Sequence, residues 1–501
     1  MYINPIVQRV SISFGAGKSV LYSDFDDTFM PGEFNHSVLG THEVPFNKKL
    51  FKKIFDPFCD FIQGMQQKFE FILTSGRNYN EIKYNMDHIP DDVNCPLPKF
   101  FIACNGSDIL EHTGQGFNYI YSQVSKNKED QIKSLSGWEI DKAKETITGI
   151  LKNNDLNIIE SKINSSAREY PGSSIEDGLE KMGKTGLSWF ASIRQNDRLH
   201  MNIAFSKDVP ERTILAVEKE INEKLSSIGI NSKVKADLEG LYSGGYRTIN
   251  VTPKINNEPL SKLFDTRNAL KRAIKENDLI IVAGDSSNDR EMLNIFRYLD
   301  TSKYEDFPVK SWSHSQNKLK DQLQQAFEYL KSNAELRREI DKLPIVSIIV
   351  NNGRDNDALA AFKELFPALN HDGIVKFIYV TPYVNNGIDT LPKAVKYAVK
   401  SYAAQNAEFA KNLAASISPE LKKELQLPKI SKSNRLIAAS AVIVAAVTGI
   451  YAAVKSIMKN KSSVAQQPST LQQSTTPFLQ LNNSKNKIPP VFQPFVSAQQ
   501  L

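Results

Sequence analysis

Two carboxylates, Asp24 and Asp26, stand two residues apart at the end of the apolar run Val20-Leu21-Tyr22, and Thr28 follows them. One such acid can attack a phosphorus atom while the other handles the proton of the leaving or entering oxygen. Ser75 closes a second apolar run, Phe69–Leu73, and Asp285 and Asp289 follow a third, Leu279–Ala283. Several carboxylates converging on one edge cannot all be ionised without a cation, and hard oxygen donors suit Mg²⁺. A strand-end hydroxyl such as Ser75 can hold a phosphoryl oxygen, and a lysine is needed to offset the charge of nucleophile and phosphate.

The elements that must position these residues follow from hydrophobic period. Short buried runs of β-type residues at 20–22, 69–73, 100–103 and 279–283 read as strands, each ending in small polar residues. Helical spacing of Leu50, Ile54, Phe58 and Ile62 predicts a helix over 46–68, and residues 78–89 predict another. Strands alternating with helices predict a parallel α/β sheet, and ligands bind at the carboxyl edge of such sheets. From about 112 to 250 the texture changes to an α+β module, with helices over 128–153 and 210–227 and strands at 188–193 and 200–205. The run Ile249-Asn250-Val251 reads as a strand returning to the first domain. Parallel texture resumes with a helix over 263–275, a helical stripe over 315–342, strands at 345–350 and 377–381, and a last helix over 391–412. Gly17-Lys18-Ser19 imitates the end of a phosphate-binding loop, but its first glycine would fall on Ile12 and a strand follows where a helix is required.

Length and composition bound the rest. At 501 residues two or three domains are expected, and 41% hydrophobic with 24% charged residues is globular. A net charge of +6, with both signs interspersed, does not favour nucleic-acid binding. Cys59, Cys95 and Cys104 form no disulfide framework and lack metal-ligand spacing. The seven histidines do not pair with them, and His200, in a strand pattern, reads as structural. No secretory signal is expected from Met1-Tyr2-Ile3-Asn4-Pro5.

With these residues on the page, the sequence resembles the haloacid dehalogenase (HAD) superfamily of phosphohydrolases. Asp24-Phe25-Asp26-Asp27-Thr28 matches its first motif, Thr74-Ser75-Gly76-Arg77 is similar to its second, and Gly284-Asp285-Ser286-Ser287-Asn288-Asp289 matches its fourth. A large module between the second motif and the helix before the fourth looks like the C2-capped branch. Within that branch, Tyr242-Ser243-Gly244-Gly245, Ile249–Pro253 and Phe101–Ser107 resemble sucrose-phosphate phosphatases and Cof-like sugar phosphatases.

The resemblance implies a Rossmann-like core in two parts, 1–111 and 251–412, around a C2-type cap at 112–250. It implies Asp24 as nucleophile, Asp26 as acid and base, and Thr28 as a support of the first motif. Ser75, with Asn105 and Asn288, would serve the substrate side. Asp24, the Asp26 carbonyl, Asp285 and Asp289 would hold or order Mg²⁺. The third motif departs from the family: Thr266 stands where its lysine belongs and Arg267 where its glycine does. Lys262 is the favoured replacement, with Arg267, Lys271 or a vacant role as alternatives. Lys184, Trp189 and Arg194 are cap residues that could touch a sugar or phosphate. The expected activity is a Mg²⁺-dependent phosphatase for a small phosphorylated metabolite, with a phosphomutase or a non-catalytic scaffold on the same fold as rivals.

Residues 413–435 read as a basic linker and 455–501 as a disordered polar tail. Between them, Leu436–Val454 carries no charge over 19 positions, near the minimum for a membrane span. Five basic residues precede it closely and three follow, which favours the N-terminal domain on the cytoplasmic side. Carbonate-washed membranes should therefore retain the full-length protein and release a version lacking 430–501; release of both contradicts the anchor.

Overall fold

The computed structural model describes residues 18–30, 48–65, 68–87, 89, 91–114, 116–160, 189–195, 198–238, 246–255, 258–286, 288–313, 316–351, 360, 362–365, 378–381 and 390–427. A large sheet begins with β1 (Ser19–Asp24), β2 (Phe69–Thr74), β3 (Phe100–Ala103), β4 (Asp108–His112) and β5 (Tyr119–Ile120). A second sheet holds β6 (Asn157–Glu160), β7 (Phe190–Gln195), β8 (Met201–Phe205), β9 (Ser232–Asp237), β10 (Thr248–Ile255) and β11 (Glu258–Pro259). The chain then returns to the first sheet with β12 (Ile280–Gly284), β13 (Ile345–Ile349) and β14 (Ile378–Val380).

The large sheet runs in the order β14-β13-β12-β1-β2-β3-β4-β5. Its first six strands are parallel and β4 and β5 antiparallel. The sequence walks outward from β1 in both directions, so the strand order reverses at β1 and a crevice opens at its carboxyl end. Both faces of these strands are covered, which is why they read as unbroken apolar runs. Helices α1 (Lys48–Met65) and α2 (Tyr79–Asp87) connect the first strands.

The smaller sheet is backed on one face by α3 (Gln123–Ser136), α4 (Ile140–Asn153) and α5 (Glu211–Ser227). Ile193, Ile203, Ile249 and Val251 meet Ile147, Ile150, Val217 and Ile221 in one core. The helix expected over 128–153 is two helices, because Gly137 caps the first in the left-handed region at φ 66°. The expected return strand at 249–251 lies instead inside β10, paired with β8 and β9 of the smaller sheet. Alternation marks it as a strand but carries no information about which sheet it joins.

The chain re-enters the core through α6 (Lys262–Glu276), followed by the short α7 (Arg290–Leu293) after β12. Helices α8 (Gln316–Ser332) and α9 (Ala334–Asp341) fill the stretch expected to carry one helical stripe. The expected last helix is α10 (Leu391–Gln405) and α11 (Ala407–Ala414), split where Asn406 caps the second. Part of the expected basic linker is α12 (Pro419–Glu424), seated by buried Leu421 and Leu425. That i,i+4 apolar pair is obscured in the sequence by the lysines around it. Among the described residues no helix is long and apolar enough to cross a membrane. The proposed span 436–454, the tail 455–501, the Gly15–Gly17 turn, Lys184 and Tyr242–Gly245 lie outside the described residues.

Asp278, in the turn before β12, is buried, and burial together with Glu276 pushes its carboxyl up to about 6. The folded state therefore holds this proton more tightly than the unfolded chain. The corresponding stability is full below the ordinary carboxylate range and lost as pH rises through about 6. Asp278→Asn should raise unfolding stability by about 1–2 kcal/mol at pH 7.5 and by progressively less toward pH 4.5, measured by urea titration.

Candidate active site

The three sequence-predicted strand ends meet at the switch point. Register places Asp24 beside Thr74 of β2 and Ser23 beside Ala283 of β12, so Asp24, Ser75 and Asp285 emerge along one edge. Beyond Asp24 the backbone leaves the sheet. Asp27 adopts a left-handed φ of 53°, its N–H reaches the Met30 carbonyl at 2.6 Å, and the Met30 N–H reaches the Phe25 carbonyl at 2.8 Å. Phe25 and Phe29 anchor this turn: both are buried, and the Phe29 ring lies 5.2 Å from Phe55 and 5.4 Å from Phe71. Phe25 and Phe29, four residues apart, thus anchor the loop on its buried side and leave Asp24 and Thr28 toward the crevice, with Asp26 on its rim. The Thr28 hydroxyl donates to Asp285 Oδ1 at 3.1 Å and ties the first segment to the fourth.

Carboxylate oxygens of Asp24, Asp285 and Asp289 lie within 4.8 Å of one another, all three residues buried. Lys262 enters this cluster from the first position of α6. Its fully buried side chain donates to Asp24 Oδ1 and, at 2.6 Å, to Asp289 Oδ1. Burial opposes the lysine's charge, but Asp24 and Asp289 outweigh it and hold the ammonium above its ordinary range. Burial pushes the Asp24 carboxyl well above the carboxylate range, with Asp289 adding to the shift and Lys262 opposing it. One ammonium among three buried carboxylates leaves negative charge uncompensated, and the donors are hard oxygens; the set fits a divalent cation.

Lys262 is set in place by its neighbours. Ser261 is the N-cap of α6, and the turn Cys104–Gly106 packs against it. A Cβ on Gly106, whose φ is +97°, would lie 2.7 Å from the Ser261 carbonyl oxygen. The other two third-motif candidates go elsewhere. Arg267 donates to Glu258 and to the Arg297 carbonyl, each at 2.7 Å, and Lys271 is exposed.

The Asp26 carboxylate stands apart from the cluster, held through both oxygens by Arg77 Nε at 2.9 and 3.1 Å on a part-exposed rim. Sequence reading did not single out Arg77. The signal available was its place at the end of the Thr74–Arg77 segment. Ser75 is buried, and its Oγ accepts the Arg77 N–H at 3.0 Å, which leaves the hydroxyl proton to donate. Asn105, left-handed at φ 57°, donates its N–H to the Ser75 carbonyl. Its buried Oδ1 has no hydrogen-bond partner among the described residues. A Cβ built on Gly76 would meet Asn288 Nδ2 at 3.2 Å and Asn105 Oδ1 at 3.3 Å, so both amides border Ser75's loop.

In the smaller sheet, Arg194 is buried and donates to Asn202 at 2.6 Å, and His200 lies 3.3 Å from Asn250. Trp189 packs against the core of the smaller sheet. None of these contacts is with the carboxylate cluster. The cysteines are free thiols.

A parallel sheet with buried acids and a lysine at its switch point, followed along the chain by a second, helix-backed sheet, defines an α/β protein with a buried carboxylate site. The chain belongs to the haloacid dehalogenase superfamily of phosphohydrolases: residues 51–299 match the haloacid dehalogenase-like hydrolase family. The matched span includes Ser75, Lys262, Asp285 and Asp289 and begins after Asp24 and Asp26. Among solved structures, the chain is similar to a haloacid dehalogenase-like hydrolase of Bacillus subtilis at 13% identity, covering 56% of this chain and 80% of that one, with a TM-score of 0.30. It is similar to the C-terminal domain of the trehalose-6-phosphate phosphatase of C. albicans at 13% identity, covering 59% and 79%, with a TM-score of 0.30. A HAD/Cof-like hydrolase of Plasmodium vivax matches at 16% identity, 64% and 100% coverage and a TM-score of 0.27. No curated protein matches the chain.

Removing the ammonium should expose the repulsion it masks. Lys262→Met should lower stability by about 3–5 kcal/mol in the presence of a chelator. Millimolar Mg²⁺ should recover more of the melting temperature in this variant than it adds to the parent. Equal Mg²⁺ effects on the two proteins would contradict the charge balance described.

Proposed function

We propose that the protein is a Mg²⁺-dependent phosphatase that hydrolyses a small phosphorylated metabolite, a sugar phosphate, through an aspartyl-phosphate on Asp24. The observation that carries this reading is the placement of Lys262 between Asp24 and Asp289 in a buried carboxylate cluster. Asp24, Asp285 and Asp289 would hold the cation. Bound there, it supplies the charge neutralisation that lets an anionic carboxylate approach an anionic phosphoryl group.

An oxygen of Asp24 attacks phosphorus as the ester P–O bond breaks, and Asp26 delivers a proton to the departing alcohol oxygen. Water then attacks the phosphorus, Asp26 takes its proton, the bond to Asp24 breaks and orthophosphate leaves. Arg77 orients Asp26 for both steps, and Thr28 orients Asp285. The Ser75 hydroxyl and the amides of Asn105 and Asn288 receive the phosphoryl oxygens. Lys262 balances charge on Asp24 as the phosphoryl group arrives.

The sugar ester is supported by the sequence resemblance to sugar phosphatases. The irregular third segment is the ground for the non-catalytic alternative, and the ion pairs of Lys262 with Asp24 and Asp289 support the catalytic reading over it. A membrane span at 436–454 would hold the catalytic unit at a membrane surface.

Purified protein should release orthophosphate from a generic aryl phosphate with Mg²⁺ and stop on chelation. Asp24→Asn should lower kcat by roughly a thousandfold or more. Hydrolysis that survives this substitution, or no hydrolysis at all, would sink the reading, while phosphate retained on the sugar would favour the mutase.

A further inference from the structure

Helix α6 places its first residue, Lys262, inside the carboxylate cluster, and its own residues hold the start of that helix poorly. A lysine at the amino end of a helix opposes the helix dipole. Among the described residues the Ser261 side chain makes no capping hydrogen bond, and the Thr266 hydroxyl turns back to the Leu263 carbonyl at 3.0 Å. The first turn is gripped from outside instead. Lys128 of α3 forms an ion pair with Asp265 Oδ1, and its ammonium lies 3.8 Å from the centre of the Phe264 ring. Lys128 and Asp265 are both buried.

A buried ion pair is a poor source of stability, because desolvating both charges offsets their attraction; its best-attested use is to fix registry. Burial pushes the Lys128 ammonium down and the Asp265 carboxyl up, each opposed by its partner. Asp265 follows Lys262 by three residues, so the two side chains leave neighbouring points on one face of α6. Lys128 is itself fixed. One turn earlier in α3 the Ser125 hydroxyl donates to the Ile109 carbonyl of β4, and one turn later Ile132 enters the core of the smaller sheet. Phe264 packs against that same core, while Ala269 and Leu270 further along α6 enter the core of the large sheet. The first turn of α6 therefore takes its position from α3.

We infer that Lys128 and Asp265 are positioning residues for Lys262, setting the first turn of α6 where one ammonium reaches both Asp24 and Asp289. Their effect on turnover rests on the phosphatase reading above; their effect on the charge balance of the site does not. Both act through Lys262 and not on the substrate. Loss of the pair lets the turn shift, and displacing a charged group by about 1 Å can cost about a hundredfold in rate.

In the full-length protein, replacing the pair by apolar groups, Lys128→Met with Asp265→Leu, leaves no buried charge alone and should keep the fold. This protein should lose about tenfold to a hundredfold in kcat on an aryl phosphate, with KM near the parent value. Parent kcat in it overturns the inference while the phosphatase reading stands. A second readout needs no turnover. The rise in melting temperature on adding millimolar Mg²⁺ should exceed the parent's by about 2 °C, because a displaced Lys262 masks less of the carboxylate repulsion. In a Lys262→Met background the same pair replacement should add nothing to that rise. An equal rise in the parent and the pair-replaced protein, or an equal increment with and without Lys262, overturns the inference even where no ester is hydrolysed. Lys128→Gln keeps a shorter, uncharged donor and should show part of both effects. Should the pair-replaced protein fail to fold, this variant decides, and parent values in it overturn the inference.

Discussion

A single ammonium group buried among three carboxylates governs the arrangement of the site. Charges of like sign cannot be gathered away from water unless something opposite joins them, and Lys262 is the opposite charge that the chain itself supplies. Its reach to both Asp24 and Asp289 requires that α6 begin at Lys262 and that Ser261 lie against the Cys104–Gly106 turn. Thr28 and Arg77 serve the same end from the other side, one bracing Asp285 and the other holding Asp26 off the cluster. Binding geometry, protonation and stability are therefore settings of one electrostatic balance.

The two sheets divide the labour by how they are covered. Strands of the large sheet are buried on both faces and carry function only at their ends. The smaller sheet is backed by helices on one face, and its other face carries both polar side chains such as Asn202 and Asn250 and a small apolar cluster of Phe190, Ala204 and Ile159. A rigid edge suits chemistry that demands fixed distances.

Much of this was legible in the residues. The strands bearing Asp24, Ser75 and Asp285 announce themselves as apolar runs that end abruptly in small polar residues, and their convergence follows from parallel topology. The lysine that pairs with Asp24 was legible only as a short set of candidates. Spacing along a helix leaves Lys262, Arg267 and Lys271 all plausible, and what decides among them is the helix start and the engagement of Arg267 by Glu258. The Arg77–Asp26 pair joins residues 51 apart and leaves no periodic trace. The placement of β10 in the cap was illegible for a related reason: alternation records burial on one face and is silent about the partner strand.

The pairing of β1 with β12 has a consequence for biosynthesis. Leu21 lies beside Ile281, so the centre of the large sheet closes across some 260 residues, with the smaller sheet contained in the loop. Such a closure carries a large entropic cost before any contact compensates it, and sheets built this way form slowly. While the ribosome is still making the smaller sheet, Asp24 belongs to a half-sheet with an unpaired inner edge. Asp24 is among the first residues of the site to be synthesised and among the last to find its surroundings.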